Sequence, residues 1–208
     1  MAILTKFFQL FLFFIGLFSG VAQAETKTIL IIGDSLSAAH GLPIESGWVH
    51  LLEKKLTEKK NPGFQIINIS TSGNTTSNGL SKLEPALAQY QPHFVIIALG
   101  SNDGLRAYPI AEIFKNLEQM ILLSQAAGSK PILLPFKLPP NYGAYAAAFE
   151  NVFLELRQKY HLSAMPFLLE EIALKLRFFL PDRVHPNEQG QIIMFETIWQ
   201  PLWEILNA

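Results

Sequence analysis

Ser35 stands in Gly33-Asp34-Ser35-Leu36-Ser37, directly after the apolar run Ile29-Leu30-Ile31-Ile32. A serine hydroxyl is a weak nucleophile until a base takes its proton, and imidazole, whose ordinary titration lies near neutral pH, suits that task. His185 can act as the base. Asp182, in Asp182-Arg183-Val184-His185-Pro186, can hold the ring in the right tautomer and stabilise the imidazolium. Their spacing lets the carboxylate fold back onto the imidazole of its own loop. Acyl transfer also needs donors facing the developing oxyanion. The backbone N–H groups of Ser35 and Gly73 and the side-chain amide of Asn102 are the candidates. Gly73 suits the role because its missing Cβ lets a carbonyl come close to the backbone.

These residues must be brought together by the elements around them. Thr28 to Ile32, Phe64 to Ile69, Phe94 to Leu99 and Ile132 to Phe136 read as strands, and Leu162 to Phe167 as a short fifth. Helical patterns run over Ser46 to Lys59, Gly79 to Tyr90, Ile110 to Ala127, Tyr142 to Tyr160 and Glu188 to Leu206. Asn61-Pro62-Gly63 stops the first of these and Gly128 closes the third. The strands are apolar throughout and alternate with helices. That pattern predicts an α/β fold, a mostly parallel sheet of about five strands covered on both faces. Such a sheet gathers the carboxyl ends of its strands on one edge. Ser35, the polar loop Ser70 to Ser77 with Gly73-Asn74, and the loop Gly100-Ser101-Asn102-Asp103 all follow strands. The Asp182/His185 loop must reach the same edge.

Each residue also has a plainer reading. A Ser after a strand often only caps a turn, and it is Asp182-x-x-His185 that lifts Ser35 above that reading. Asn102 can stabilise its own turn, Asp34 can accept backbone N–H groups of the Ser35 turn, and Asp103 reads as a loop stabiliser. His40, His50, His93 and His161 follow no ligand spacing, and Glu170-Glu171 are adjacent positions whose side chains do not face each other. Arg106 and Tyr108 follow Asn102 and are either surface loop or substrate contacts.

In order, Gly33-Asp34-Ser35-Leu36-Ser37, Gly73, Gly100-x-Asn102-Asp103 and Asp182-x-x-His185-Pro186 resemble the blocks of the SGNH (GDSL) hydrolase superfamily. The resemblance extends across the chain after its N-terminal apolar stretch. Asn102-Asp103-Gly104-Leu105-Arg106 and Leu138-Pro139-x-Asn141-Tyr142-Gly143 are similar to its bacterial periplasmic thioesterase I/lysophospholipase/arylesterase branch. The resemblance implies a flavodoxin-like three-layer α/β/α domain, an exposed site, no metal or other cofactor, and hydrolysis of acyl esters and thioesters. One departure is visible: the branch commonly has Gly-Asp after the second strand, where this chain has Gly73-Asn74.

Leu105, Tyr108, Leu138, Pro139 and Tyr142 lie on loops at the expected active edge. The resemblance places an acyl groove among such loops, which favours fatty acyl esters, thioesters and lysophospholipids. The alternatives are a short-chain or carbohydrate O-acetyl esterase and, from another class, a non-catalytic envelope lipid-binding protein. Intact Ser35, Asp182, His185 and Asn102 oppose the last.

The chain has 208 residues, no cysteine and a formal net charge of −1, without a Lys/Arg stripe. Those features exclude thiolate metal sites and a Cys nucleophile, and argue against nucleic acid as a partner. Lys6, the apolar Phe7 to Phe18 and the small residues of Ala22-Gln23-Ala24 form a secretory leader. Cleavage is expected between Ala24 and Glu25, leaving residues 25–208 as one hydrolase domain, a periplasmic monomer. The stretch is short for an uncleaved anchor, and Gly20 and Gln23 interrupt it.

Overall fold

The computed structural model describes residues 26–58 and 63–208. The expected leader and its cleavage point, Lys59 and the Asn61-Pro62 helix stop lie outside the described residues. Four apolar runs form one parallel sheet: β1 (Lys27–Gly33), β2 (Phe64–Asn68), β3 (Phe94–Ala98) and β4 (Lys130–Leu133), in the order β2-β1-β3-β4. Ile29 to Ile32 and all of β3 are buried, as expected of strands with helices on both faces. Ile31 pairs with Asn68 of β2 and Ile96 of β3, and Gly33 with Ala98. The carboxyl ends of β1 and β3 are therefore level.

Among the described residues, six α-helices surround the sheet: α1 (Trp48–Glu58), α2 (Thr76–Tyr90), α3 (Ser101–Leu105), α4 (Ile110–Ala126), α5 (Ala144–Lys159) and α6 (Glu188–Leu206). Chain connections step from β1 outward to β2, then back across β1 to β3 and on to β4. Right-handed crossovers put helices of opposite steps on opposite faces. Accordingly α1 packs with α6, while α2 packs with α4 and α4 with α5. Trp48, Leu52 and Leu56 form the buried stripe of α1, and Met194, Ile198 and Leu202 that of α6. The buried Gln191 of α6 accepts the Trp48 N–H through Oε1 at 2.9 Å, which satisfies an orphan first-turn donor of α1.

Two expectations need correction. The sheet has four strands, because Leu162 to Phe167 joins no ladder. Pro166 removes a donor near the end of that segment, yet Met165 and Phe167 still bury their side chains. The loop after β3 also winds directly into α3: Gly100 takes φ 119° and accepts the Gly104 N–H at 2.9 Å. Among the described residues, no helix is long and apolar enough to cross a membrane.

Candidate active site

The chain reverses between β1 and β3: one feeds a connection leftward to β2, the other rightward to β4. The crevice at such a switch point is where open α/β sheets place ligands. Ser35 sits there. Its turn is held by Asp34, whose carbonyl accepts the N–H groups of Ser37 (3.2 Å) and Ala38 (3.0 Å). The Asp34 carboxylate accepts the Leu36 N–H at 3.0 Å and the Ser101 hydroxyl, so it also pegs α3 against the turn. Burial pushes this carboxyl above its ordinary range, while the Ser101 and Leu36 bonds pull it back.

The second loop comes from β2. The Thr71 N–H donates to Gly33 O at 3.2 Å, and Asn74 N–H to Thr71 O at 3.1 Å. Gly73 has φ 81°, a conformation that disfavours a Cβ, and a Cβ placed there would meet no atom within 4 Å. The space beside it is open. Asn74, where the family branch commonly has Asp, is buried, and its Nδ2 donates to Gly33 O at 3.3 Å. Lys82 Nζ donates to Asn74 Oδ1 (3.3 Å) and to Thr71 Oγ1 (3.0 Å), which fastens the loop to α2.

Asn102, in the first turn of α3, donates through Nδ2 to the Asn74 carbonyl at 3.0 Å and at 3.4 Å to Asp34 Oδ2. One amide proton is thus engaged in tying two loops together, and the other has only a long contact. Asp103 points the other way. Its buried carboxylate accepts Thr76 N–H (2.9 Å) and Oγ1–H (2.6 Å), locking the start of α2 to α3. Among the described residues, the backbone N–H groups of Ser35 and Gly73 donate to no protein acceptor.

The third loop is a tight return. Phe179 pairs antiparallel with Pro186, the Leu180 N–H donates to His185 O at 2.7 Å, and Arg183 turns the chain at φ 60°. Asn187 then caps α6 by accepting the Gly190 N–H at 3.0 Å. Within the return, Asp182 Oδ2 lies 2.8 Å from His185 Nδ1. Asp182 Oδ1 accepts the N–H groups of Val184 (2.9 Å) and His185 (3.0 Å). The His185 N–H, then its ring, then the Val184 N–H hold the Asp182 carboxyl far below the usual carboxylate range. An ionised carboxylate only accepts, so Nδ1 carries the proton, and in the neutral ring Nε2 is left as an acceptor. That Nε2 is 3.0 Å from Ser35 Oγ. A hydroxyl, a proton acceptor and an orienting carboxylate therefore stand in line, in an arrangement able to generate a serine nucleophile.

The five apolar candidates divide. Leu105 and Tyr108 are exposed (45% and 39%), at the end of α3 and just beyond it. Tyr142 holds Leu105 by donating its hydroxyl to the Leu105 carbonyl at 2.9 Å. Pro139 is exposed, whereas Leu138 is buried, with its Cδ2 3.0 Å from where a Gly104 Cβ would stand. A small crevice lined by Leu133, Pro135, Phe153 and Met165 lies beside β4 and α5 and includes none of the residues around Ser35. Among the described residues, no three His, Asp or Glu side chains gather as a metal site.

Sequence reasoning passed over His40. Its ring centroid lies 4.3 Å from that of His185, and its Nδ1 lies 3.1 Å from Ser72 Oγ. The available signal was position: His40 falls on the turn that carries Ser35, and its N–H donates to Ser35 O at 3.1 Å. The sequence sets Asn74 and Ser101 in notable polar strand-end loops but does not show their ties to Gly33 O and to Asp34.

Comparison with known proteins gives the family. The sequence profile of the GDSL-like Lipase/Acylhydrolase family matches residues 31–192. An arylesterase of Vibrio mimicus is 38% identical over 200 residues, spanning 96% of this chain and 98% of that protein. Thioesterase 1/protease 1/lysophospholipase L1 of Escherichia coli is 34% identical over 198 residues, spanning 95% and 92%. The crystal structure of the psychrotrophic esterase EstA from Pseudoalteromonas sp. superposes with a TM-score of 0.83 at 37% identity, covering 88% of this chain and 100% of EstA. With its parallel sheet, its strand-end loops and these relatives, the chain belongs to the GDSL-like lipase/acylhydrolase family and is a carboxylic ester hydrolase.

Proposed function

We propose that the protein is a secreted serine esterase that hydrolyses fatty acyl esters, lysophospholipids and acyl thioesters through an acyl-enzyme on Ser35. The observation that carries this reading is the run from Ser35 Oγ to His185 Nε2 (3.0 Å) and from His185 Nδ1 to Asp182 Oδ2 (2.8 Å). His185 takes the Ser35 proton as Oγ attacks the acyl carbon. Asp182 keeps Nδ1 protonated and offsets the charge that the ring gains. The N–H groups of Ser35 and Gly73, unengaged by protein acceptors, and the second proton of Asn102 meet the oxyanion. His185 then passes its proton to the leaving alcohol or thiol, the C–O or C–S bond breaks, and Ser35 is left acylated. Water, deprotonated by His185, attacks the acyl carbon; the bond from that carbon to Ser35 Oγ then breaks, His185 returns its proton to Oγ, and the carboxylic acid leaves.

Exposed Leu105 and Tyr108, with Tyr142 bonded to Leu105, Leu138 against Gly104 and Pro139 exposed next to it in the chain, support an open acyl groove. The relatives named as arylesterase and as thioesterase/lysophospholipase support the same substrate range. The leader read in Met1 to Ala24 supports export, and we assign the mature chain to the periplasm as a monomer, since every proposed catalytic group comes from one chain. A periplasmic enzyme meets lysophospholipids and exogenous esters more readily than cytoplasmic acyl-CoA. Hydrolysis of p-nitrophenyl esters of increasing chain length, beside a Ser35→Ala control, tests the reading. Rates that rise from acetate toward medium and long acyl chains are expected. A preference confined to acetate would move the assignment to a short-chain or carbohydrate O-acetyl esterase.

A further inference from the structure

His185 has two in-plane partners, Asp182 at Nδ1 and Ser35 at Nε2. Each is a single contact, and rotation about Cβ–Cγ would swing both nitrogens out of line with their partners. The orienting carboxylate is also wet: Asp182 is 43% exposed as a side chain, and it belongs to the same return as His185. An ion pair within one exposed loop cannot by itself register that loop against a nucleophile elsewhere in the chain.

The Ser35 turn supplies the missing contact. The His40 ring lies against the His185 ring at 4.3 Å between centroids, tilted by 42°. His40 is itself held at both ends. Its N–H donates to Ser35 O, and its Nδ1 is within hydrogen-bond reach of Ser72 Oγ, next to Gly73. One residue further on, a Cβ at Gly41 would stand 2.8 Å from Leu180 Cδ1, so the same turn passes close to the start of the His185 return.

We infer that His40 is a positioning residue: its ring braces the face of His185 and stops the rotation about Cβ–Cγ that would turn Nε2 away from Ser35 Oγ. This inference rests on the reading of Ser35 and His185 as nucleophile and base. A ring that rotates in this way leaves the productive hydrogen bond for part of the time, and a small misplacement of a base is enough to slow the chemical step. The aromatic face is the active feature, and the Ser72 contact only aims it.

Three variants on one good p-nitrophenyl ester test this, with turnover, Michaelis constant, fluorophosphonate labelling rate and melting temperature as readouts. His40→Ala is expected to lower kcat on the order of tenfold, to slow labelling in parallel, and to leave KM and Tm unchanged. His40→Phe restores most of the loss because it keeps an aromatic face, and, being uncharged, it separates ring contact from any effect of charge. His40→Gln keeps a group that can reach Ser72 but no ring, and stays slow. Wild-type kcat in His40→Ala overturns the inference, as does rescue by Gln in place of Phe, or a loss that appears as lowered Tm with raised KM. His185→Ala is run alongside. If it is inactive while His40→Ala is not impaired, only the bracing role fails; if it retains turnover, the underlying assignment of the base fails.

Discussion

His185 Nε2 lies 3.0 Å from Ser35 Oγ although the two residues are 150 positions apart in the chain. Two separate structures hold them there. Ser35 hangs from a buried strand whose end is level with that of β3, and His185 sits on a closed return just before the cap of α6. Neither anchor involves the reacting atoms. Removing one reacting group therefore leaves the frame intact, which makes the site testable by substitution.

Ser35→Ala is expected to abolish turnover and covalent labelling by a fluorophosphonate, while the wild-type protein labels once. Among the described residues the side chain makes a single hydrogen bond, to His185, so the melting temperature should hold. Labelling that survives the substitution, seen by intact-mass measurement, would remove Ser35 as the nucleophile. EDTA should leave the wild-type rate unchanged, since no metal takes part in the proposed steps.

Acidification separates His185 from Asp182. The N–H groups of His185 and Val184 hold the Asp182 carboxyl well below its ordinary range, so it stays ionised as the pH falls. By linkage, a carboxyl with a depressed native pKa contributes stability above its unfolded pKa and loses it only as the pH drops through the native value. Asp182 therefore remains an ionised partner for the ring in mild acid. Only the neutral ring accepts the serine proton. The kcat/KM profile should fall on the acid side with the slope of a single proton, without loss of folded structure in the same pH interval. A slope of two protons, or unfolding coincident with the loss, would contradict this assignment.

Asp182→Asn should keep the fold of the return, because Oδ1 can still accept the two backbone N–H groups. The new amide NH2 would face Nδ1 and favour the wrong ring tautomer. A loss of turnover on the order of 10³-fold or more follows, with little change in KM. Steady-state kinetics with a circular dichroism melt would check it, and near-normal turnover would make the carboxylate dispensable.

The leader assignment predicts a mature N-terminus at Glu25. Expressed in a Gram-negative host, the protein should be released by osmotic shock and give the mass of residues 25–208. An intact N-terminal segment in the membrane fraction would instead indicate an anchor.

The parts legible in the sequence were those with a local chemical signature. The bounds of α6 follow from Asn187, a good cap, and an apolar stripe of helical period. β1 and β3 follow from unbroken apolar runs, and Ser35, Asp182 and His185 from residue type and spacing. The fifth strand failed because an apolar run does not guarantee a ladder when Pro166 interrupts its donors. α3 is too short to display a period, and its start depends on one backbone angle at Gly100. His40 was hidden for a different reason: a ring contact between distant loops leaves no mark on the local pattern of either. The tie from Asn102 to the Asn74 carbonyl is similarly long-range, and it makes Asn102 the residue whose role most needs measurement.

Asn102→Ala distinguishes oxyanion stabilisation from loop tethering. The amide donates to Asn74 O at 3.0 Å, a bond that structure alone would justify, and its second proton makes only the 3.4 Å contact to Asp34. A donor aimed at charge that develops in the transition state lowers kcat on removal by about 10²–10³-fold, or roughly 3–4 kcal/mol, and barely moves KM. Loss of a tether to one carbonyl instead costs about 1–3 kcal/mol of stability and loosens the loop carrying Gly73. We expect the first pattern to dominate, because Asp103 binds Thr76 independently and keeps α3 joined to α2 without the Asn102 amide. Asn102→Asp refines the result. A carboxylate there would face the Asn74 carbonyl and the Asp34 carboxylate without a proton to give, so it should be at least as slow as the alanine variant. Kinetics on one ester with a melting curve for both variants decides the matter. An alanine variant that melts early yet keeps most of its turnover would leave the oxyanion to the Ser35 and Gly73 N–H groups alone.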